Sequence, residues 1–242
     1  MEWVFVGALA AGWIDAVIGG GGLILIPLLM SVGLSPTLAL GTNKLAGCLG
    51  TTSAAAVMIR NMGAPPALFR LIPVAVVASG CGALLASSLS AAVMRPLVIA
   101  LLLAAGVFVA VRPGFGGGEG DKGTSHPGVV IAVVALIAGY DGFFGPGTGM
   151  FLIIAFTALV TGDFLRSSVY AKTVNVCTNL GALIVFGFTG QVWWQLGLGL
   201  ACATVVGAQI GARTVLRGGA KFVRYALLAM VIVMVTRLII VG

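Results

Sequence analysis

Charged residues are scarce in this sequence. Asp, Glu, Lys and Arg make up 8% of the 242 residues, while hydrophobic residues make up 60%. About a quarter of the residues in a soluble domain are normally charged. Several apolar runs here also exceed the ~20 residues that cross a bilayer. The composition therefore excludes an ordinary soluble domain and predicts an all-α, polytopic membrane protein.

Histidine and paired cysteines are also nearly absent. The single histidine, His126, lies in a polar loop, and each of the four cysteines stands alone in an apolar segment. No spacing typical of a disulfide or a metal site occurs, so we expect buried packing cysteines, no metal and no cofactor. An enzyme is disfavoured because the apolar segments lack a credible nucleophile–base pair. No ATPase motif is present, so ATP-driven transport would require another subunit.

Acidic residues are fewer than basic ones, which gives a net charge of +7. Most basic residues lie in short loops between apolar segments, a pattern typical of membrane orientation. We therefore predict a lipid bilayer as the partner of this chain and no nucleic acid.

Glycine and apolar residues are abundant, and they form two unusual breaks. The apolar run of residues 3–18 is interrupted by Gly19–Gly22 and continues through Leu23–Val32, and a similar run at Ala138–Ile153 contains the sequence GPGTG. Glycine weakens a helix by ~1 kcal/mol relative to alanine. Broken backbone at membrane depth is tolerated only inside protein or against an aqueous cavity. Each broken segment is predicted to be a re-entrant hairpin or two short crossings.

The breaks belong to an internal repeat. Residues 1–111 and 128–242 are predicted to be related halves, joined by the polar, glycine-rich linker 112–127. In each half a helix cap, Ser35 or Asp163, follows the break, and a lysine comes nine residues after each cap. The remaining predicted segments form two pairs, Leu68–Leu89 with Trp193–Leu216 and Ala92–Val111 with Phe222–Val241.

The basic loops predict that the halves are inverted. The loop after the lysine helix is basic in the first half only, whereas the next loop is more basic in the second half. Because basic loops stay cytoplasmic, the halves are predicted to cross the membrane in opposite senses, with both termini outside. We expect about 8–10 membrane segments in the plan of inverted repeats with discontinuous helices.

Four charged residues are predicted to lie inside the membrane: Asp15, Lys44, Asp141 and Lys172. Each lysine lies ~13 Å past its helix cap, near the middle of a ~30 Å core. A charge there costs at least ~2.5–3.5 kcal/mol, so four charges at corresponding positions point to a function.

We interpret the lysines as ligands for a small anion, assisted by helix N-termini at the breaks and by polar neighbours. The predicted substrate-binding residues are Lys44, Lys172, Thr42, Asn43, Thr51, Thr173, Asn175, Asn179, Gly20, Gly21, Gly147 and Thr148.

Two roles stay open for the aspartates. In one, Asp15 pairs with Lys44, and Asp141 pairs with Lys172, to hold each half together. In the other, the aspartates carry protons, as intramembrane carboxylates do in pumps and transporters.

Several motifs resemble the TauE/SafE family of membrane permeases. They are GGGGLILIPLL after Ile18, ALGTNKLAG at Ala39–Gly47, and GPGTG, AKTVN and TNLGAL in the second half. The resemblance implies a multi-pass transporter of the bacterial cytoplasmic membrane, linked to sulfite, sulfonates or related sulfur-containing organic anions.

The expected function is therefore a secondary transporter that moves a small anion by alternating access, with proton coupling as an open feature. The alternatives are an anion channel and a non-transporting membrane subunit of a larger complex. A homodimer is left open.

Overall fold

The computed structural model describes the backbone of residues 2–64, 68–111 and 126–241, and the side chains of these residues except 68, 105–111 and 219–241. Within these ranges the structure is helical and contains no strand. The helices are α1 (Glu2–Ile18), α2 (Gly22–Ser31), α3 (Pro36–Met62), α4 (Leu71–Ser88), α5 (Ala91–Val111), α6 (Pro127–Phe143), α7 (Thr148–Phe156), α8 (Phe164–Phe188) and α9 (Trp194–Val241). A 3₁₀ turn, Leu68–Arg70, precedes α4, and a π-helical turn, Thr157–Thr161, follows α7.

The two predicted helix caps are confirmed. The Ser35 hydroxyl accepts a hydrogen bond from the Leu38 N–H at the start of α3 (3.4 Å), where Pro36 occupies the first helical position. The Asp163 carboxylate accepts a hydrogen bond from the Arg166 N–H at the start of α8 (2.7 Å). Side-chain oxygens at these positions satisfy amides that have no partner within the helix. Two caps nine residues before the lysines therefore bring both lysines to the third turn of a long helix.

The helices of the two predicted halves pack against each other in corresponding ways. The first helix of each half packs mainly on the fourth element of the other half, α1 on α9 and α6 on α4. The long lysine-bearing helices α3 and α8 pack on each other, and each also packs on the fourth element of the opposite half. This arrangement places the core between the halves.

Glycines permit the close approach of α1 to α9 and of α6 to α4. A Cβ on Gly207 would overlap the Leu9 carbonyl oxygen, and a Cβ on Gly142 would overlap the Ser79 carbonyl oxygen. Small residues allow helix backbones to come together where no hydrophobic force drives them, as in a membrane.

The outer surface is apolar, as expected for a membrane protein. Large side chains such as Val77 (65% exposed), Leu84 (56%) and Leu136 (75%) face outward, whereas soluble monomers rarely expose contiguous apolar surface. Three helical stretches are long and apolar enough to cross a membrane, namely Leu71–Ser88, Phe164–Phe188 and Trp194–Gly218. Shorter apolar helices accompany them. The number of crossings, the inverted insertion and the domain boundaries stay predictions, and most of the predicted linker lies outside the described residues.

Two predictions about local structure are wrong. The predicted segments Trp193–Leu216 and Phe222–Val241 are one continuous helix, α9, because the Gly218-Gly219 pair weakens a helix but does not end it. The cysteines are not all buried, since Cys81 and Cys202 are exposed on the outer faces of α4 and α9. Cysteine is compatible with an apolar outer surface as well as with a core.

Candidate functional site

The two glycine breaks lie against each other in the interior of the protein. The first break separates α1 from α2, and the second separates α6 from α7. A Cβ on Gly19 would overlap the backbone of Gly149, and a Cβ on Gly149 would overlap Gly19. Backbone contact between the breaks therefore depends on glycine at both positions.

The four charged residues predicted inside the membrane gather at these breaks. Lys44, Lys172 and Asp141 are 1%, 0% and 2% exposed, and Asp15 is half-buried. Every other charged residue whose side chain the structure describes is exposed. The selective burial of these four groups is what the sequence predicted.

Each lysine forms an ion pair with the aspartate of the other half. Lys44 Nζ lies 2.7 Å from Asp141 Oδ2, and Lys172 Nζ lies 3.3 Å from Asp15 Oδ2. The predicted pairs within each half, Asp15 with Lys44 and Asp141 with Lys172, are therefore wrong. The reason is the crossed packing, which brings the break of one half beside the lysine helix of the other.

The Asp15–Lys172 pair includes a third side chain and the main chain. The Lys172 ammonium donates to the Asp15 carbonyl oxygen as well as to its carboxylate. The Thr51 hydroxyl donates to Asp15 Oδ2 at 3.0 Å. The carboxylate of Asp15 is thus shared by a cation of the second half and a hydroxyl of the first half.

The Lys44–Asp141 pair is more enclosed and has fewer partners. Asp141 Oδ2 has no hydrogen bond of acceptable geometry, so its close contact with Lys44 is an ion pair alone. The break of the second half closes over this pair, since a Cβ on Gly145 would lie 2.8 Å from Lys44 Nζ. Gly145 also has a φ of +97°, a backbone conformation that L side chains rarely adopt. Asn179, which corresponds to Thr51 in the repeat, bonds to Asn175 instead of the aspartate.

A small cavity of about 40 Å³ lies between the pairs and the first break. This volume suits a few water molecules or one small ion and is far below the ~300–1,000 Å³ of a site for a drug-sized ligand. Eight of the predicted residues line it: Asp15, Gly21, Asn43, Lys44, Thr51, Asp141, Asn175 and Asn179.

The cavity contains polar groups that have no partner in the described part of the chain. The Asn43 side-chain amide lines the cavity and makes no hydrogen bond there, and the Asn175 amide nitrogen likewise has no acceptor. Free amide donors beside a lysine are suited to a small polar or anionic ligand.

Six predicted residues do not line the cavity: Lys172, Thr42, Thr173, Gly20, Gly147 and Thr148. Three of them are engaged elsewhere. The Thr42 hydroxyl accepts from the Trp193 N–H (3.0 Å), Thr173 donates to a carbonyl oxygen of its own helix (2.8 Å), and Thr148 donates to a carbonyl within the second break (2.7 Å). Lys172 is fully buried and does not line the cavity, but it contacts Asp15, which does.

The helix N-termini contribute fewer free amides than predicted. At the start of α2 the N–H groups of Leu23 and Ile24 bond to carbonyl oxygens of Gly20 and Gly21 (3.0 and 3.1 Å). At the start of α7 the N–H of Thr148 bonds to Gly145 (3.1 Å). Several orphan donors of each helix are therefore satisfied within its own break.

Sequence reasoning missed Thr204 of α9, which lines the cavity and donates to the Ala46 carbonyl oxygen of α3 (2.9 Å). Its counterpart is Ser79 of α4, which donates to the Thr178 carbonyl oxygen of α8 (2.6 Å). Ser79 and Thr204 occupy the same position in the paired segments Leu68–Leu89 and Trp193–Leu216, and this correspondence was the signal that could have identified both. The other residues missed are apolar or glycine: Ala11, Gly12, Gly19, Gly22, Leu25, Gly47, Gly50 and Gly145.

Comparison with known proteins gives one family. Residues 4–238 match the family described as "Sulfite exporter TauE/SafE". A relative from Escherichia coli K12, "Probable membrane transporter protein YfcA", is 36% identical over 98% of this chain and 88% of its own. A relative from Sinorhizobium, "Probable membrane transporter protein ORF9", is 34% identical over 99% and 92%. A "Probable membrane transporter protein" of Haemophilus influenzae is 32% identical over 98% and 93%. No solved structure matches the chain significantly.

Proposed function

Because the chain belongs to the TauE/SafE sulfite exporter family, a family of membrane transporters and not of enzymes, we propose that it is a secondary transporter of a small anion. The anion is sulfite, a sulfonate or a related sulfur-containing organic anion. It crosses the bacterial cytoplasmic membrane by alternating access between two inverted halves.

The observation that carries this proposal is the pair of buried lysines at the interface of the halves. Lys44 and Lys172 are nearly inaccessible and come from corresponding positions. Two cross-half pairs beside a polar cavity at broken helices resemble the midplane sites of transporters built from repeats.

The charges of the two lysines and two aspartates explain which solutes the site favours. Two lysines and two aspartates sum to zero, so the empty site carries no net charge through the membrane. An incoming anion competes with an aspartate for a lysine. A neutral solute carries no charge with which to displace an aspartate from either ion pair.

The crossed pairing supports alternating access. Each half contributes its aspartate to one pair and its lysine to the other. A rigid-body movement of one half against the other therefore changes both pairs at once, as expected when access depends on the relative position of two repeats.

The test is uptake by the purified protein in proteoliposomes. A panel of radiolabelled sulfite, thiosulfate, sulfate, sulfoacetate and methanesulfonate identifies the transported anion. We expect Lys44→Met and Lys172→Met each to reduce its uptake to the level of protein-free vesicles. Arg60→Met is the matched control, because it removes an exposed positive charge from the same helix as Lys44 and should retain uptake.

The outcomes separate the alternatives. Uptake that continues unchanged in both lysine variants would contradict the proposed site. Rapid flux that never exceeds equilibrium, with single-channel conductance, would identify a channel. An absence of flux for every anion of the panel would leave a non-transporting subunit as the better description.

A further inference from the structure

We propose that Asp15 is the carboxylate that releases Lys172 to the substrate, and that it carries a proton together with the anion. A monoanion would then cross the membrane with one proton and no net charge. This inference rests on the proposed function and assigns the coupling ion and its carrier.

The two aspartates differ in access to the cavity. The side chain of Asp15 is 20% exposed, whereas that of Asp141 is 3% exposed. Both line the same cavity. The ion pair of Asp15 is also the longer one, 3.3 Å against 2.7 Å. In this conformation a proton from the cavity reaches Asp15 more easily than Asp141.

The partners of Asp15 suit a carboxyl group that changes its protonation state. The Thr51 hydroxyl donates to Asp15 Oδ2 at 3.0 Å, and a hydroxyl can equally accept a hydrogen bond from a protonated carboxyl. Lys172 also donates to the main-chain carbonyl of Asp15. That bond keeps the Lys172 ammonium in place when the Asp15 side chain moves away from it. The ammonium can then donate hydrogen bonds to an anion. Within the described residues Asp141 has no such hydroxyl partner: the position that corresponds to Thr51 is Asn179, whose amide bonds to Asn175.

The charges around Asp15 determine how many protons bind with each anion. The titratable groups that face it are Lys172 from α8, Lys44 from α3 and Asp141 from α6. The residue of α9 that lines the cavity is Thr204, which is not titratable, and α2 and α7 contain no titratable side chain. With both aspartates ionised, an added monoanion leaves one uncompensated negative charge in the membrane core. Protonation of Asp15 restores a net charge of zero at the site, so the proton and the anion bind together and move in the same direction.

Infrared difference spectroscopy tests the carrier without any assumption about substrate. Lowering the pH of the reconstituted protein should create a carboxylic-acid C=O band that is missing in Asp15→Asn. Glu2→Gln is the matched control, because it removes an exposed carboxylate from the same helix and should retain the band from Asp15. The band persisting at full intensity in Asp15→Asn, or its absence at every pH where transport proceeds, would overturn the assignment.

Flux measurements test the coupling. Labelled methanesulfonate is the first probe, because a strong-acid monoanion keeps its charge as pH changes. With the membrane potential clamped at zero, each unit of pH gradient should sustain about tenfold accumulation in the alkaline compartment. Asp15→Asn should lose this accumulation, and its remaining anion exchange should be independent of pH.

The failures of the two proposals are distinguishable. If the wild-type protein takes up no anion of the panel, the proposed function is wrong, and the proposed proton coupling is wrong as well. If it takes up methanesulfonate or another anion of the panel without response to the pH gradient, or if Asp15→Asn keeps proton-driven accumulation, only the inference about Asp15 is wrong.

Discussion

The Lys44–Asp141 pair allows a sharp test of the energetics of the site. Its atoms lie 2.7 Å apart, and the two side chains are 2% and 3% exposed. Lys44→Met leaves the Asp141 carboxylate buried without a counter-charge. Removing one partner of such a pair costs about 3–5 kcal/mol, whereas replacing both partners by apolar residues is often neutral or stabilising. We therefore expect Lys44→Met to be strongly destabilising and the double variant Lys44→Met/Asp141→Leu to recover most of the loss.

Thermal unfolding of the purified protein in detergent measures this effect. At about 2–4 °C per kcal/mol for a chain of this length, Lys44→Met should lower the Tm by about 6–20 °C. The double-mutant cycle should give a coupling energy at or above the upper end of the ~0.5–3 kcal/mol found for residues that share a contact or a salt-bridge network. The same cycle on Lys172 and Asp15 should give a smaller coupling, because Asp15 is more exposed and Thr51 also bonds to it.

The reasoning would be refuted if Lys44→Met unfolded at the wild-type temperature. It would also be refuted if the double variant lost as much stability as the two single variants together, because the pair would then contribute nothing as a pair.

The glycines give two further predictions. Gly142→Ala should lose about 1–3 kcal/mol of stability from overpacking between α6 and α4, measured as a lower Tm, while Gly139→Ala, whose Cβ would meet nothing closer than 3.8 Å, should not. Gly145→Ala and Gly33→Ala should both lose about 1–3 kcal/mol from backbone strain, because their φ values are +97° and +95°. Only Gly145→Ala should also reduce anion uptake, since its Cβ would meet the Lys44 ammonium; equal uptake by both variants would contradict a role for that contact.

The sequence predicted the local features of the site well. Ser35 and Asp163 act as caps because their side chains bond to amides three residues on, an interaction that needs no tertiary information. The first break was predicted because four consecutive glycines do not sustain a helix, and the second was predicted because GPGTG interrupts a similar apolar run. The burial of Lys44 and Lys172 followed from their distance to the caps.

The pairing of the charges needed tertiary structure. A repeat shows that Asp15 corresponds to Asp141 and Lys44 to Lys172, but it does not show whether partners come from one half or from both. The answer depends on the packing of α1 on α9 and of α6 on α4. That packing arises from glycines whose contacts are invisible in a linear pattern.

Thr204 and the continuity of α9 were missed for different reasons. A threonine within an apolar helix usually bonds to a carbonyl oxygen of its own helix, and only the structure shows that Thr204 also bonds to α3. The Gly218-Gly219 pair and its basic neighbours are typical of a loop, but here the helix continues through them, because glycine weakens a helix without ending it.

The measurement that tests the central claim most directly is anion uptake by the charge-balanced variant Lys172→Met/Asp15→Asn. This variant removes a cation and an anion together, so the net charge of the site stays zero and no buried charge is left unpaired. If Lys172 binds the substrate anion, the variant should be produced in the membrane and unfold near the wild-type temperature, yet take up none of the anion that the wild type transports. Uptake at the wild-type rate would show that the pair only holds the halves together and would contradict the proposed site.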